Sequence, residues 1–401
     1  MRNGLLSVLC LLIAVAAQAE TNSEVLNKVW AVGRQNACSP EMRGQFNDTT
    51  LARLKSQLKD ETERKALASV LNPFLFSMGY SHTEFFTDQM EAYYVFKGYQ
   101  AIIDPSAPAA PLMVNPGIQV GTDDYGYFAR EVLDGSPAMA QGLSKGDRIL
   151  SVDGKPFTGF FGYEPKSKAI VRIAHQGTFK EITVDLPAVN WAQALEDATL
   201  NSVHVLSHAG RSIGYVRLWS GVHPESAQAL WAAVNKLKAQ KTDGLVLDLR
   251  GGYGGAFWEH LDPFFADRKD FFVMNAKDGN NQTAIRAPEP QDNPGAYLGS
   301  MAVLINEGSR SGKEAMAYQF KKSKRATLIG TTTAGYFSGG GMFFMDQPSD
   351  YMLYLCVMRD STLDGVSIEG VGVKPDLNIG YEASGPYQDS QLNTALESLA
   401  R

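Results

Sequence analysis

The 401-residue sequence predicts an α/β fold, α+β over the whole chain, and three patterns predict it. After about residue 191, long apolar runs alternate with helical segments, as parallel strands joined by crossover helices do. Between residues 113 and 187 the runs are shorter and are separated by Gly, Asp and Pro turns, the pattern of a small β domain. From residue 20 to about 100, apolar side chains recur every three or four positions, the period of an amphipathic helix.

At the start of the chain, Met1-Arg-Asn-Gly4 precedes an apolar stretch over 5–17 and a small-residue site, Ala17-Gln-Ala19. This is the make-up of a cleavable secretory signal over 1–19, too short to span a bilayer, so the mature chain is expected to begin at Glu20 after export to the periplasm or the medium. Cys10 follows Leu9 and not a small residue, so no lipoprotein anchor is expected; no later run approaches membrane-spanning length, and stable membrane insertion is not expected either. Helices are expected over 23–32, 49–58 and 61–71, within an N-terminal helical region at 20–103. Residues 104–111 are rich in Pro and Ala and read as a linker. Strands are expected over 114–120, 126–132, 148–152, 169–174 and 179–184, with a short helix over 137–141, in a β domain at 113–187. In the α/β domain at 192–401, strands are expected over 212–218, 244–249, 301–305 and 326–330, and helices over 224–239, 256–265 and 312–322. The long polar connection over 267–299 reads as a surface excursion near the site.

With 44% hydrophobic residues the chain can bury a large core without covalent staples. Cys38 and Cys356 remain after export, too few for a disulfide framework, and a single bridge between them stays open at this level. The net charge of −6 carries no concentrated basic tract beyond Lys321-Lys-Ser-Lys-Arg325, which reads as the solvated end of a helix, so nucleic-acid binding is not expected. An oligomer is compatible with the sequence and is not specified by it.

The richest segment is Asn306-Glu-Gly-Ser-Arg-Ser-Gly-Lys-Glu314, between the apolar strand 301–305 and the helix-forming residues that follow. It leaves Ser311 at a helix N-terminus, where unpaired N–H groups and the helix dipole stabilise developing negative charge. The other reading is a capping box between Ser311 and Glu314. A serine hydroxyl is a weak nucleophile and needs a base. Six histidines are available, His82, His175, His204, His208, His223 and His260, and composition does not choose among them. No two histidines fall at ligand spacing with an acidic partner, and His204 and His208 lie in a strand-like stretch, so neither a metal nor an organic cofactor is expected.

Five motifs in order, Ser81-His-Thr83, Asp248-Leu-Arg-Gly-Gly-Tyr-Gly-Gly255, Asn306 to Glu314, Gly330-Thr-Thr-Thr-Ala-Gly335 and Glu369-Gly-Val-Gly-Val-Lys-Pro-Asp376, resemble the series of the C-terminal-processing (tail-specific) serine peptidase family. The β domain resembles the PDZ domain carried by many members, through Gly117-Ile-Gln-Val120, Gly135-Ser-Pro-Ala138, Gly142-Leu143 and Lys145-Gly-Asp-Arg-Ile149. The resemblance implies a catalytic α/β domain of the tail-specific protease type, with an N-terminal helical region and an inserted PDZ-like domain. It also implies a serine peptidase acting on protein or peptide substrates through an acyl-enzyme. One branch of the family uses a Ser-Lys dyad, but the lysine position holds Tyr336; Lys313, two residues along a helix from Ser311, should leave on a different face. Ser81-His82 and Glu369 match instead the tricorn-core-like branch.

That resemblance assigns Ser311 as nucleophile and His82 as general base, with Ser81 and Glu369 setting the imidazole tautomer. The oxyanion donors are Gly312 and Gly254; the family's asparagine in the latter turn is replaced by Gly252, and Arg250 is expected to brace the turn. Gly117, Ile118, Gln119 and Val120 are expected to bind a peptide tail, with the alternative of a β domain that only gates the cleft. Gly-x-Ser-x-Gly fails at both Ser309 and Ser311, which counts against an esterase elbow. The competing reading from another class is a catalytically inactive peptide- or ligand-binding protein on the same scaffold.

Overall fold

The computed structural model describes residues 20–58, 62–175, 177–278, 281–288, 292–345, 350–385 and 388–401; the expected leader 1–19 lies outside them. The α/β layer is a six-stranded sheet in the order His204–His208, Arg211–Arg217, Gly244–Asp248, Met301–Ile305, Thr327–Gly330, Leu377–Asn378. All pairings are parallel except the first, a hairpin at one edge. Gly244–Asp248 and Met301–Ile305 are buried at every position, because helices cover both faces and a continuous apolar run is the only pattern that satisfies both. Leu245, Leu247, Val303 and Ile305 face Leu230, Val234, Met316 and Phe320 of helices Ser226–Ala239 and Gly312–Lys322. Val246, Ala302 and Leu304 face Leu392, Ala395 and Leu396 of the C-terminal helix Ser390–Ala400.

Three expectations are corrected. A helix over 256–265 is replaced by two 3-10 turns, Trp258–His260 and Asp262–Phe264, since Pro263 removes a donor and its ring blocks an α-helical turn. The connection 267–299 contains a hairpin, Met274–Asp278 with Asn281–Ile285, that joins a second sheet. The N-terminal region is also not purely helical: beside helices Asn22–Asn36, Pro40–Gln45, Asp48–Lys55, Arg64–Ser77 and Glu91–Ile103 it contributes the strand Glu84–Thr87. A four-residue strand has no stability alone. It pairs antiparallel with the long strand Tyr351–Leu363, Glu84 opposite Tyr354. On one face of this second sheet Tyr351, Leu353 and Leu355 pack on Leu67, Leu71 and Phe85; on the other Met352 packs on Phe86, Tyr93 and Phe96. A disulfide between Cys38 and Cys356 ties the same two parts together across 318 residues.

The β insert is an antiparallel sheet in the order Ile118–Asp123, Gly126–Val132, Arg148–Val152, Lys166–His175, Thr178–Leu186, with helix Pro137–Ala140. Its two ends are zipped by pairing of Met113–Val114 with Ala188–Val189, and the linker 104–111 carries no regular element. The insert docks on the α/β layer through Glu131 to Arg217 (2.8 Å) and through Trp219 Nε1, which donates to Asp134 (2.8 Å).

Closing so long a loop constrains the unfolded chain strongly, so replacing both Cys38 and Cys356 by serine should lower unfolding free energy by about 2–5 kcal/mol. Denaturant titration of the oxidised protein and the double variant checks this; coincident midpoints would refute it.

Candidate active site

Ser311 follows the loop that leaves strand Met301–Ile305 and immediately precedes helix Gly312–Lys322. Its φ of 55° is rare for a residue with a side chain and costs on the order of 1–3 kcal/mol. The surroundings hold it there. Its N–H donates to Tyr336 O (3.0 Å) and to the Glu314 carboxylate (3.1 Å). Glu314 in turn accepts from Thr333 Oγ1 (2.6 Å) and from the N–H groups of Gly335 (2.7 Å) and Tyr336 (2.8 Å). Burial raises the Glu314 carboxyl above its ordinary range, and those donors oppose the rise. Asn306 Oδ1 accepts from Gly251 and Gly308, and Ser309 Oγ donates to Leu249 O, which staples the loop before Ser311 to the glycine turn after strand Gly244–Asp248.

That turn carries Gly254, whose Cα is so close to Ser311 that a Cβ would lie 2.6 Å from Ser311 Cβ and 3.3 Å from its Oγ. A Cβ on Gly312 would lie 2.0 Å from Ala256 O. Both positions therefore require glycine on steric grounds. Gly254 O accepts from Gly221 N–H and Tyr253 N–H donates to Trp219 O, so the turn is fixed along its length. Arg250 braces it from below, donating to Asp248 (2.7 Å) and Asp389 (2.9 Å).

Ser81 and His82 sit between helix Arg64–Ser77, which Gly79 (φ 72°) follows two residues on, and strand Glu84–Thr87. His82 is, like Ser311, at positive φ (56°). Ser81 Oγ lies 2.8 Å from His82 Nδ1 and donates to Glu369 Oε2 at 2.9 Å, while Ser81 N–H donates to Glu369 Oε1 at 2.9 Å. A hydroxyl has one proton. With that proton donated in the hydrogen bond to Glu369, Ser81 Oγ can only accept from the ring, so Nδ1 carries the hydrogen and Nε2 is left as a base. Glu369 also accepts from the N–H groups of Phe337 and Ser338 (2.7 Å). Burial pushes its carboxyl up, but these backbone and hydroxyl donors win and the net shift is down. Burial pushes the His82 imidazole down to about 4, against the pull of Glu369 and with the help of the Arg310 guanidinium.

Tyr336, Phe337 and Ser338 thus join the two halves: Tyr336 O takes the Ser311 N–H, and the next two N–H groups hold Glu369 with Ser81-His82 behind it. Among the described residues no hydrogen bond links the Ser311 hydroxyl to the imidazole; such pairs are often loose before substrate binds. The other histidines with described contacts serve local structure. His175 pairs with Asp147 (2.6 Å), His204 Nδ1 meets Ser202 O (2.6 Å), His260 meets Ser226 Oγ (2.8 Å) and His223 takes the Glu225 N–H (3.2 Å).

In the β insert, Ile118–Asp123 is an edge strand, but the N–H groups of Gly117 and Ile118 both donate to Asn115 Oδ1 (2.8 and 2.7 Å). Gln119 is buried and its amide donates to Glu91, which also takes the Tyr253 hydroxyl (2.9 Å). Only Val120 among the expected peptide-binding residues is half-exposed, and a tail carboxylate at Gly117 and Ile118 would have to displace Asn115. Residues that sequence reasoning passed over also face the site. Tyr354 packs edge-on to His82 (5.3 Å), and Arg310 lies over Tyr253 (5.0 Å) and donates to Gly252 O (2.9 Å). Burial raises the Glu84 carboxyl to about 7. Adjacency to His82 and Ser311 was the only signal for Glu84 and Arg310.

Residues 212–379 match the model of peptidase family S41 and residues 114–172 that of the PDZ domain. Among curated relatives, the carboxy-terminal processing protease CtpA of Bacillus subtilis is 27% identical over 281 residues, 68% of this chain and 58% of its own. A carboxyl-terminal-processing protease of Picosynechococcus is 26% identical over 283 residues, 67% of this chain and 66% of its own. The chain thus matches about three fifths of the length of these relatives. Among solved structures, a photosystem II D1 C-terminal processing protease has a TM-score of 0.53 at 20% identity, covering 90% of this chain and 93% of its own. The tricorn protease has a TM-score of 0.50 at 15% identity, covering 94% of this chain and 36% of its own. The fold expected from the sequence and the resemblance to C-terminal-processing peptidases are borne out.

Because burial holds the imidazole neutral, acylation of Ser311 by a fluorophosphonate should keep its rate well below pH 6.5 and fall only toward pH 4. A rate profile with its half-point near 6.5 would show that the ring is solvated.

Proposed function

For this chain of the S41 and PDZ patterns, we propose an exported serine peptidase that hydrolyses peptide bonds of protein or peptide substrates through an acyl-enzyme. The observation that carries it is the relay from Glu369 through Ser81 to His82 Nδ1, hung on the same three residues that hold the Ser311 N–H. Ser311 Oγ attacks the scissile carbonyl as His82 Nε2 takes its proton. The tetrahedral oxyanion is held by the N–H groups of Gly312 and Gly254, and His82 then protonates the leaving amine. Water repeats the sequence on the acyl-enzyme. Glu369 stabilises the imidazolium through Ser81, an arrangement that supports the tricorn-core-like branch of the family over the Ser-Lys branch. Tyr336, half exposed where that branch has its lysine, agrees with this reading.

The leader at 1–19 supports export to the periplasm or beyond, and among the described residues no helix is long and apolar enough to cross a membrane. We assign 20–103 to a region that delivers the base, 113–187 to a PDZ-like module and 192–401 to the part that carries the nucleophile. Occupation of the Gly117 and Ile118 donors by Asn115 favours a module that packs beside the cleft over one that holds a free tail.

A fluorophosphonate probe should label Ser311, and the label should vanish in Ser311→Ala and His82→Ala. Peptide turnover in His82→Ala should fall by about 10⁴-fold or more. Folded wild-type protein that takes no label would favour the inactive binding protein.

A further inference from the structure

Lys313 is fully buried, two residues past the nucleophile, and the mechanism above does not use it. Its side chain runs beneath the glycine turn, where Nζ donates to Gly251 O (2.9 Å) and Trp219 O (3.2 Å). Trp219 O also accepts the Tyr253 N–H (2.8 Å), so one amine and one backbone amide converge on the same carbonyl. Between them Gly252 is pressed so close that a Cβ would meet Trp219 O at 2.0 Å and Lys313 Nζ at 3.2 Å.

Gly251 and Gly252 are consecutive residues at positive φ (58° and 65°). Two glycines in sequence can rotate the peptide between them at little torsional cost, and such a rotation would swing the Gly251 carbonyl away from its partner and disturb the turn that carries Gly254. What selects one orientation is the partner of the buried Gly251 carbonyl, since a buried acceptor left without a donor is costly. Lys313 is that partner. Burial, with Arg217 and Arg310 nearby, pushes its amine well below the usual lysine range, and its N–H donors meet the two carbonyls it faces.

We propose that Lys313 is a positioning residue for the oxyanion hole: it ties the helix that begins beside Ser311 to the turn that carries Gly254, and so sets the distance between nucleophile and oxyanion donor. The assignment rests on the peptidase reading above. It touches no reacting atom.

Lys313→Met keeps the bulk and removes both donations. On a peptide substrate kcat should fall about 100-fold with KM within about threefold, as loss of an oxyanion donor does. Affinity for a peptidyl boronate, which forms the tetrahedral adduct, should fall by the same factor, while affinity for a product peptide stays unchanged. A drop shared by product binding, or a kcat within about threefold of wild type, would overturn the assignment. If the variant does not fold, a structure of the wild-type boronate complex decides the matter. A boronate oxygen on Gly254 N–H with Nζ still on Gly251 O supports the role, and an oxygen held elsewhere, or Nζ swung away, ends it. Failure of the boronate to bond Ser311 at all would instead bring down the peptidase reading, and this assignment with it.

Discussion

The hydrogen-bond network of the candidate site converges on the Glu369 carboxylate. It accepts the N–H and O–H of Ser81 and the N–H groups of Phe337 and Ser338, so residues from three distant parts of the chain meet on two oxygen atoms. A half-buried carboxylate with so many donors stays ionised, and an ionised carboxylate can only accept. From that single constraint follow the direction of the Ser81 proton, the tautomer of His82 and the lone pair at Nε2. Glu314 plays the parallel part on the Ser311 side, gathering the N–H groups of Ser311, Gly335 and Tyr336.

The two acids differ in what they accomplish. Glu314 shapes a loop: it holds Ser311 at a φ the residue would not choose alone, with Gly254 pressed close to Ser311 and Gly312 close to Ala256. Glu369 shapes a proton distribution. Strain in one place and charge in another are therefore maintained by neighbouring hydrogen-bond networks that share the segment Tyr336–Ser338, and neither can loosen without disturbing the other.

The β insert is coupled to this centre by contacts at the same glycine turn. Glu131 bridges Lys145 of the insert and Arg217 of the α/β layer, and its carboxyl stays ionised because those cations outweigh the effect of burial. Arg217 also donates to Arg250 O, one residue before Gly251, and Gly251 has no space for a Cβ because Glu131 Oε1 would lie 2.7 Å away. Glu91 joins Gln119 to Tyr253 on the other side. The insert thus abuts the turn beside Ser311.

By itself the sequence determined what depends on short-range pattern. Strand Met301–Ile305 and helix Gly312–Lys322 appear with the residues their apolar period and turn chemistry specify, and the parallel layer follows from strands too apolar to face water. The order of five short motifs carried the catalytic candidates, though no spacing could say that residues 81 and 369 touch. Tertiary structure alone decided the second sheet, because a four-residue strand at Glu84–Thr87 is defined by a partner about 270 residues away and not by its own pattern. It decided the Cys38–Cys356 bridge, the burial of Lys313 and the occupation of the Gly117 and Ile118 donors by Asn115. Periodicity reports which side of an element is dry. Which donor meets which acceptor is settled only when distant segments pack, since each buried polar group takes the partner that arrives beside it.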